Sequence, residues 1–282
     1  MRCQWQEFIN LLPGWMRQPV DEHGAQQLQE LHLRMDEPPQ LILKNQSIWL
    51  NKPVRGEDLR FCINAATKYS PWTAGSIQHG YITAPGGHRI GLCGECSFEG
   101  QALKNIAPVT SLCMRVARDF YGISADTWKE QGSVLIIGPP GSGKTTFLRD
   151  LIRQISNHGK GAVTVLDERR ELFPCSAGKF FFERGKQTDV LSGGRKQTMI
   201  CCALQTMSPS VIALDEITAA EDCAALLEAA WCGVQLIATA HAGSKEELYA
   251  RKTYEPLVRQ GIFDTLITMR TDKTWQKEGF CL

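Results

Sequence analysis

Gly138-Pro139-Pro140-Gly141-Ser142-Gly143-Lys144-Thr145 places a lysine and a hydroxyl directly after a glycine-rich run, in the pattern G-x-x-x-x-G-K-[ST] with no mismatch. Such a run can hold a chain of phosphates. The glycines let the backbone curl until successive N–H groups face a phosphate, the lysine reaches the β and γ oxygens, and the threonine hydroxyl ligates magnesium. These eight residues and the following Thr146 form the expected nucleotide-binding set, with Thr145 a magnesium ligand.

Hydrolysis needs more than a cradle. Val211-Ile212-Ala213-Leu214-Asp215-Glu216 reads as a buried strand ending in two acids, the form of a Walker B element. Asp215 is the expected second magnesium ligand, and Glu216 beside it is the candidate to polarise the attacking water. Val165-Leu166-Asp167-Glu168-Arg169 repeats the arrangement one strand earlier, which makes Glu168 a second acidic candidate. Thr239-Ala240-His241 follows a third apolar run, and a histidine at such an edge can sense the γ-phosphate or pass a proton.

The elements that must position these residues are legible around them. Val134 to Ile137 is a short apolar run, as a strand buried on both faces requires. Beyond the loop, Phe147, Leu148, Leu151, Ile152 and Ile155 share one face of a helix that stops at Asn157-His158-Gly159. Its N-terminus turns unpaired N–H groups and a favourable dipole toward phosphate. Further apolar runs at Ala162–Leu166, Gln235–Thr239 and Thr265–Met269 alternate with helical segments, so the expected core is a parallel sheet covered on both faces.

The first part of the chain reads differently. Leu31, Leu33 and Met35 alternate with polar residues, Leu41–Leu43 and Ile48–Leu50 follow Pro38-Pro39, and a helix is expected from Glu57 to Lys68. His79–Thr83 and His88–Cys93 flank the turn signal Pro85-Gly86-Gly87, and Leu112–Ala117 reads as another strand. The expected fold is therefore α/β: a P-loop NTPase core of the RecA/AAA type with a parallel sheet, residues 133–282, preceded by a smaller α+β domain, residues 1–120, and a linker, 121–132.

Composition bounds the function. With 43% hydrophobic and 22% charged residues the balance is that of a soluble globular protein, and a formal charge of +1 gives no global field for nucleic acid. No apolar run is long enough to span a bilayer, and Glu7, Asn10 and Pro13 interrupt the stretch where a signal peptide needs a continuous apolar core. The expectation is a cytoplasmic chain without direct membrane insertion. Eleven cysteines in such a compartment are read mainly as small buried residues, and Cys93-Gly94-Glu95-Cys96 has no second pair at zinc-finger spacing.

Leu191-Ser192-Gly193-Gly194-Arg195 copies the signature of ABC transporter ATPases. The stretch from Lys144 to Leu191 is too short for the helical subdomain of that family, and Ile217 stands where its members usually carry proline. Ser192-Gly193-Gly194 is read as a loop entering the helix that ends near Met207.

Taken together, the residues resemble the stage III sporulation protein AA family of endospore-forming bacteria, relatives of the type II and type IV secretion ATPases. The carriers are Leu31-His32-Leu33-Arg34, Gly87-His88-Arg89-Ile90-Gly91-Leu92, Met114-Arg115-Val116-Ala117-Arg118, the phosphate loop, Asp167-Glu168-Arg169, Met207-Ser208-Pro209 and Ala238-Thr239-Ala240-His241. The chain departs from the family pattern at Leu191–Gly194 and Ile217-Thr218. The resemblance implies an ATP-hydrolysing motor with Mg²⁺, assembled as a homo-oligomer, with a hexamer expected, and docked on membrane-embedded channel proteins. It also implies that Arg89 and Arg115, on strands of the first domain, stabilise charge on the γ-phosphate. The alternatives are a nucleotide-gated scaffold with little turnover and a nucleic-acid-dependent ATPase; no nucleic acid is expected.

Overall fold

The computed structural model describes residues 1–68, 80–100, 102–129, 132–159, 161–176 and 178–280. The chain divides into two units, one of Met1–Asp119 with Cys175–Phe181, the other of Phe120–Pro174 with Phe182–Leu282.

In the first unit, alternation of leucines with polar residues builds β1 (Leu28–Arg34), whose Leu28, Leu31 and Leu33 are fully buried while Glu30, His32 and Arg34 face outward. It pairs antiparallel with β2 (Gln40–Leu43), which pairs with β3 (Ser47–Trp49). The turn at Pro85–Gly87 joins β4 (Tyr81–Thr83) to β5 (Arg89–Glu99), with Tyr81 opposite Gly91. His79, read as the start of that hairpin, lies outside the described residues. β6 (Ala102–Arg115) starts earlier than the expected Leu112, because it follows β5 along its whole length in a long antiparallel ribbon. Among the described residues this gives a six-stranded sheet in the order β3-β2-β1-β6-β5-β4. Short helices that the sequence pattern did not reveal, α1 (Trp5–Asn10), α2 (Gly14–Asp21) and α3 (Gly24–Gln27), precede it. The expected helix is α4 (Gly56–Thr67), started by Asp58 Oδ2 accepting from Arg55 N at 2.8 Å and ended by Lys68 in a left-handed conformation, φ 50°.

The second unit is built on β7 (Val134–Ile137), α5 (Lys144–His158) and β8 (Val163–Asp167), followed by the small hairpin β9 (Cys175–Ser176) and β10 (Lys179–Phe180), which clusters with the first unit. Next come β11 (Thr188–Ser192), α6 (Lys196–Thr206), β12 (Val211–Leu214), α7 (Ala220–Trp231), β13 (Gln235–Ala240), α8 (Lys245–Ala250), α9 (Glu255–Gln260), β14 (Thr265–Met269) and β15 (Trp275–Gly279). Among the described residues the sheet order is β11-β8-β12-β13-β7-β14-β15, parallel throughout except that β15 returns antiparallel on β14. The apolar runs sit in the middle of this sheet, buried on both faces.

Two features differ from the sequence reading. Ser192 closes strand β11 at the sheet edge, so the loop into the next helix begins at Gly193, whose N donates to Asp167 O at 3.2 Å. Residues 121–129 are not a free connection: Asp150, on the α5 face opposite its leucines, accepts from Gly122 N at 3.0 Å and from Ser124 N and Oγ at 2.9 and 2.7 Å. That face was legible only as polar, yet Arg149, Asp150 and Arg153 are buried, because residues 120–124 and 171–173 cover it and offer carbonyls to the two arginines.

Candidate functional site

The parallel strands β7, β8, β12 and β13 all end at one edge of the sheet, where an open α/β sheet builds its sites. From β7 the chain enters the glycine loop. A side chain at Gly138 would meet Met269 O and Ser142 Oγ at 2.7 Å, so the loop passes tightly under the end of β14. Gly143, at φ +100°, turns the chain into α5 in a conformation that L-residues with a side chain rarely adopt.

Lys144, the first residue of α5, folds back under the loop. Its Nζ donates to Gly138 O at 2.7 Å, Pro139 O at 3.0 Å and His241 Nδ1 at 3.0 Å. On its other nitrogen, His241 Nε2 lies 3.1 Å from Glu216 Oε1, and Arg169 Nη1 is 3.8 Å from Glu216 Oε2. The Asp215 carboxylate accepts from Thr145 Oγ1 at 3.3 Å and from Thr239 Oγ1 at 3.4 Å. Burial pushes the Asp215 carboxyl up, and the charges of Glu171, Asp167 and Glu216 push the same way. Burial pulls the Lys144 ammonium down, against the opposing carboxylates of Glu216 and Asp215.

The donor set suits a nucleotide with a hard divalent cation. Ser142 Oγ is buried beneath the loop with no hydrogen-bond partner among the described residues. Thr145 and Asp215 present a hydroxyl and a carboxylate a hydrogen bond apart, the oxygen donors that Mg²⁺ takes.

Loop residues Gly141 to Thr146, Asp215, Glu216, Thr239 and His241 line a cleft of about 710 Å³. Its remaining wall was not foreseen: Phe120, Ile123, Met269 and Trp275 are apolar lining, and Lys273, in the turn between β14 and β15, donates from Nζ to Gly141 O. Trp275 stands alone in a polar stretch, with no periodicity to mark it.

The other candidates lie elsewhere. Glu168 does not line the cleft; its carboxylate is 2.9 Å from Nζ of the buried Lys196, which also reaches Asp222 Oδ2 at 3.3 Å and Thr218 Oγ1 at 3.2 Å. Asp167 holds its own loop, accepting from Glu171 N at 2.8 Å and Phe173 N at 2.9 Å. Arg89 and Arg115 are cross-strand partners in the sheet of the first unit. The Arg89 guanidinium lies 3.9 Å from the centre of the Tyr81 ring, and Arg115 Nε is 2.9 Å from Glu30 Oε1.

The family model described as sporulation stage III, protein AA, matches residues 3–278. Stage III sporulation protein AA of Bacillus subtilis (strain 168) is 33% identical over 283 residues, covering 95% of this chain and 91% of that protein. The chain belongs to the stage III sporulation protein AA family. Its fold is similar to that of the ATPase DotB of Legionella pneumophila, with TM-score 0.60 and 16% identity over 94% of this chain and 79% of that one. The pilus retraction motor PilT, solved with bound ADP, gives TM-score 0.61 and 13% identity over 89% of this chain and 76% of that one. Identities that low speak for the fold alone, and they agree with the α/β P-loop core and parallel sheet read from the sequence. Among the described residues, no helix is long and apolar enough to cross a membrane.

Proposed function

We propose that this member of the family is a Mg²⁺-dependent ATPase that works as a cytoplasmic homo-oligomer, hexameric by analogy with the secretion motors, on membrane-embedded proteins of a sporulation channel. The observation that carries the ATPase reading is the convergence of Lys144, Thr145, Asp215, Glu216 and His241, from three separate segments, on one cleft at the carboxyl edge of the sheet.

Residues 138–146 hold the phosphates. Lys144 exchanges its loop carbonyls for phosphate oxygens, and Ser142 gains a partner for its buried hydroxyl. Thr145 and Asp215 hold the cation, which when bound offsets charge on the phosphates. Glu216 takes the proton of the attacking water, and His241, hydrogen-bonded to it, fixes the carboxylate in place. Glu168 acts through Lys196, which ties it to the Thr218–Asp222 segment just after Glu216. Arg89 and Arg115 complete the charge stabilisation from the first unit of the same or a neighbouring subunit.

Phosphate release by the full chain with ATP and Mg²⁺ tests this. Turnover by the wild type, and binding without turnover by Glu216→Gln, are the expected results; if wild type and variant are equally inactive even when assembled with channel partners, the motor reading fails. Mixing Arg89→Ala or Arg115→Ala chains with Glu216→Gln chains should restore turnover if the arginines act across subunits.

A further inference from the structure

Glu30, His32, Cys113 and Arg115 share the face of the first unit's sheet that lies opposite its leucines. His32 stands across from Cys113 and Glu30 across from Arg115 on the neighbouring strands β1 and β6, while Leu31, Leu33, Leu112 and Met114 between them are buried on the other face. Three kinds of metal-ligating atom meet there. Glu30 Oε2 lies 3.0 Å from His32 Nε2, and Cys113 Sγ lies 3.8 Å from each. An ion pair accounts for the carboxylate and the ring, but not for a thiol held equally close to both. The separations suit one small tetrahedral cation: with bonds of about 2.3 Å to sulfur and about 2.0–2.2 Å to nitrogen and oxygen, zinc ligand atoms stand about 3.4–3.6 Å apart. The three distances here differ from that by about 0.4 Å or less. Arg115 Nε holds the other carboxylate oxygen, Glu30 Oε1, at 2.9 Å, which leaves Oε2 turned to the thiol and the ring. Across from Cys113 on β5 is Gly91, with no side chain to cover the sulfur, and the Glu30 and His32 side chains are 29% and 24% exposed. A cation can therefore reach the cluster from solvent.

We propose that Glu30, His32 and Cys113 form a zinc site that clips β1 to β6, with water as the fourth ligand. A thiolate and an imidazole select Zn²⁺ over Mg²⁺, which takes oxygen. As the S–Zn bond forms, Cys113 releases its proton to solvent. His32 coordinates through Nε2, whose proton leaves, and carries its remaining proton on Nδ1, which ends the 3.5 Å contact of Nδ1 with Arg34 Nη2. Thiolate and carboxylate together balance the two charges of the cation. The site stands independently of nucleotide binding, because the phosphate loop, Asp215 and Glu216 use none of its three ligands.

The full-length chain, stripped with a chelator under reducing conditions and kept free of nucleotide, is titrated with Zn²⁺ against a chromophoric competitor and separately with Co²⁺. Zn²⁺ should bind and raise the melting temperature, and Co²⁺ should give a near-ultraviolet thiolate band together with the intense visible bands of tetrahedral cobalt. Cys113→Ser, which keeps the size of the side chain, should abolish the thiolate band and weaken Zn²⁺ about a hundredfold. His32→Gln should weaken Zn²⁺ about tenfold or more, with the far-ultraviolet dichroism of both variants unchanged. Changing the exposed Cys93 and Cys96 together to serine should alter neither affinity nor spectrum. If the parent chain binds no Zn²⁺, if its affinity is indifferent to Cys113→Ser, or if the thiolate band survives Cys113→Ser and disappears with Cys93 and Cys96, the site is overturned.

Discussion

His241 joins Lys144 to Glu216: its Nδ1 accepts from the lysine ammonium at 3.0 Å and its Nε2 lies 3.1 Å from the glutamate carboxylate. An ammonium can only donate, so Nδ1 must be the bare nitrogen, and Nε2 carries the proton that Glu216 accepts. The histidine thus fixes the orientation of the candidate base. His241→Ala should lower kcat about tenfold to a hundredfold with ATP affinity little changed. Phosphate-release kinetics and titration with ATP on the same variant measure both quantities; a kcat unchanged by His241→Ala would separate the two residues.

The Lys144 ammonium donates to two loop carbonyls and to His241 at the edge of the cleft, so its removal should spare the fold. Lys144→Ala is expected to keep the wild-type circular dichroism and melting curve while ATP affinity drops about tenfold to a hundredfold, the loss of charge-assisted hydrogen bonds to phosphate. Titration with ATP and a thermal scan of the same sample read both quantities.

Asp150 is a different case, because it holds a wall instead of a ligand. It is fully buried, accepts three hydrogen bonds from Gly122 and Ser124, and pairs with the buried Arg153 at 3.1 Å. Asp150→Ala should cost about 3–5 kcal/mol, since it strands a buried guanidinium and three donors. Urea unfolding followed by far-ultraviolet dichroism gives the loss. A cost below about 1 kcal/mol would mean that the 120–124 segment is held by something else.

His88 makes stability depend on pH. Burial pushes its imidazole down from 6.5 to about 4, reinforced by the Arg118 charge and opposed by the hydrogen bond to Gln4 O, while Nδ1 accepts from Ala117 N. Between those two values the unfolded chain binds a proton that the folded chain refuses, so stability falls as pH drops from about 6.5 to about 4 and His88 adds no further loss below that. The contribution is about 3 kcal/mol at most. In His88→Asn, which keeps an acceptor for Ala117, the fall in urea midpoint between pH 7.5 and pH 4.5 should be smaller than in wild type.

What the residues determined by themselves is local. The glycine spacing before Lys144, the apolar stripe from Phe147 to Ile155, the strand run into Asp215 and the alternation around Leu31 and Leu33 each depend only on neighbours a few positions away, and each formed where it was read. Tertiary structure decided which edges lie side by side. Because β13 inserts between β7 and β12, His241 falls between Lys144 and Glu216; because β8 lies beyond β12, next to β11, Glu168 meets Lys196 instead. The order of strands in a parallel sheet is set by crossovers whose packing no local pattern encodes. The same holds for the wall of the cleft. Phe120 and Trp275 are far apart in the chain, in stretches without periodicity, and only the buried charges of α5 and the return of β15 on β14 bring them to the phosphate loop.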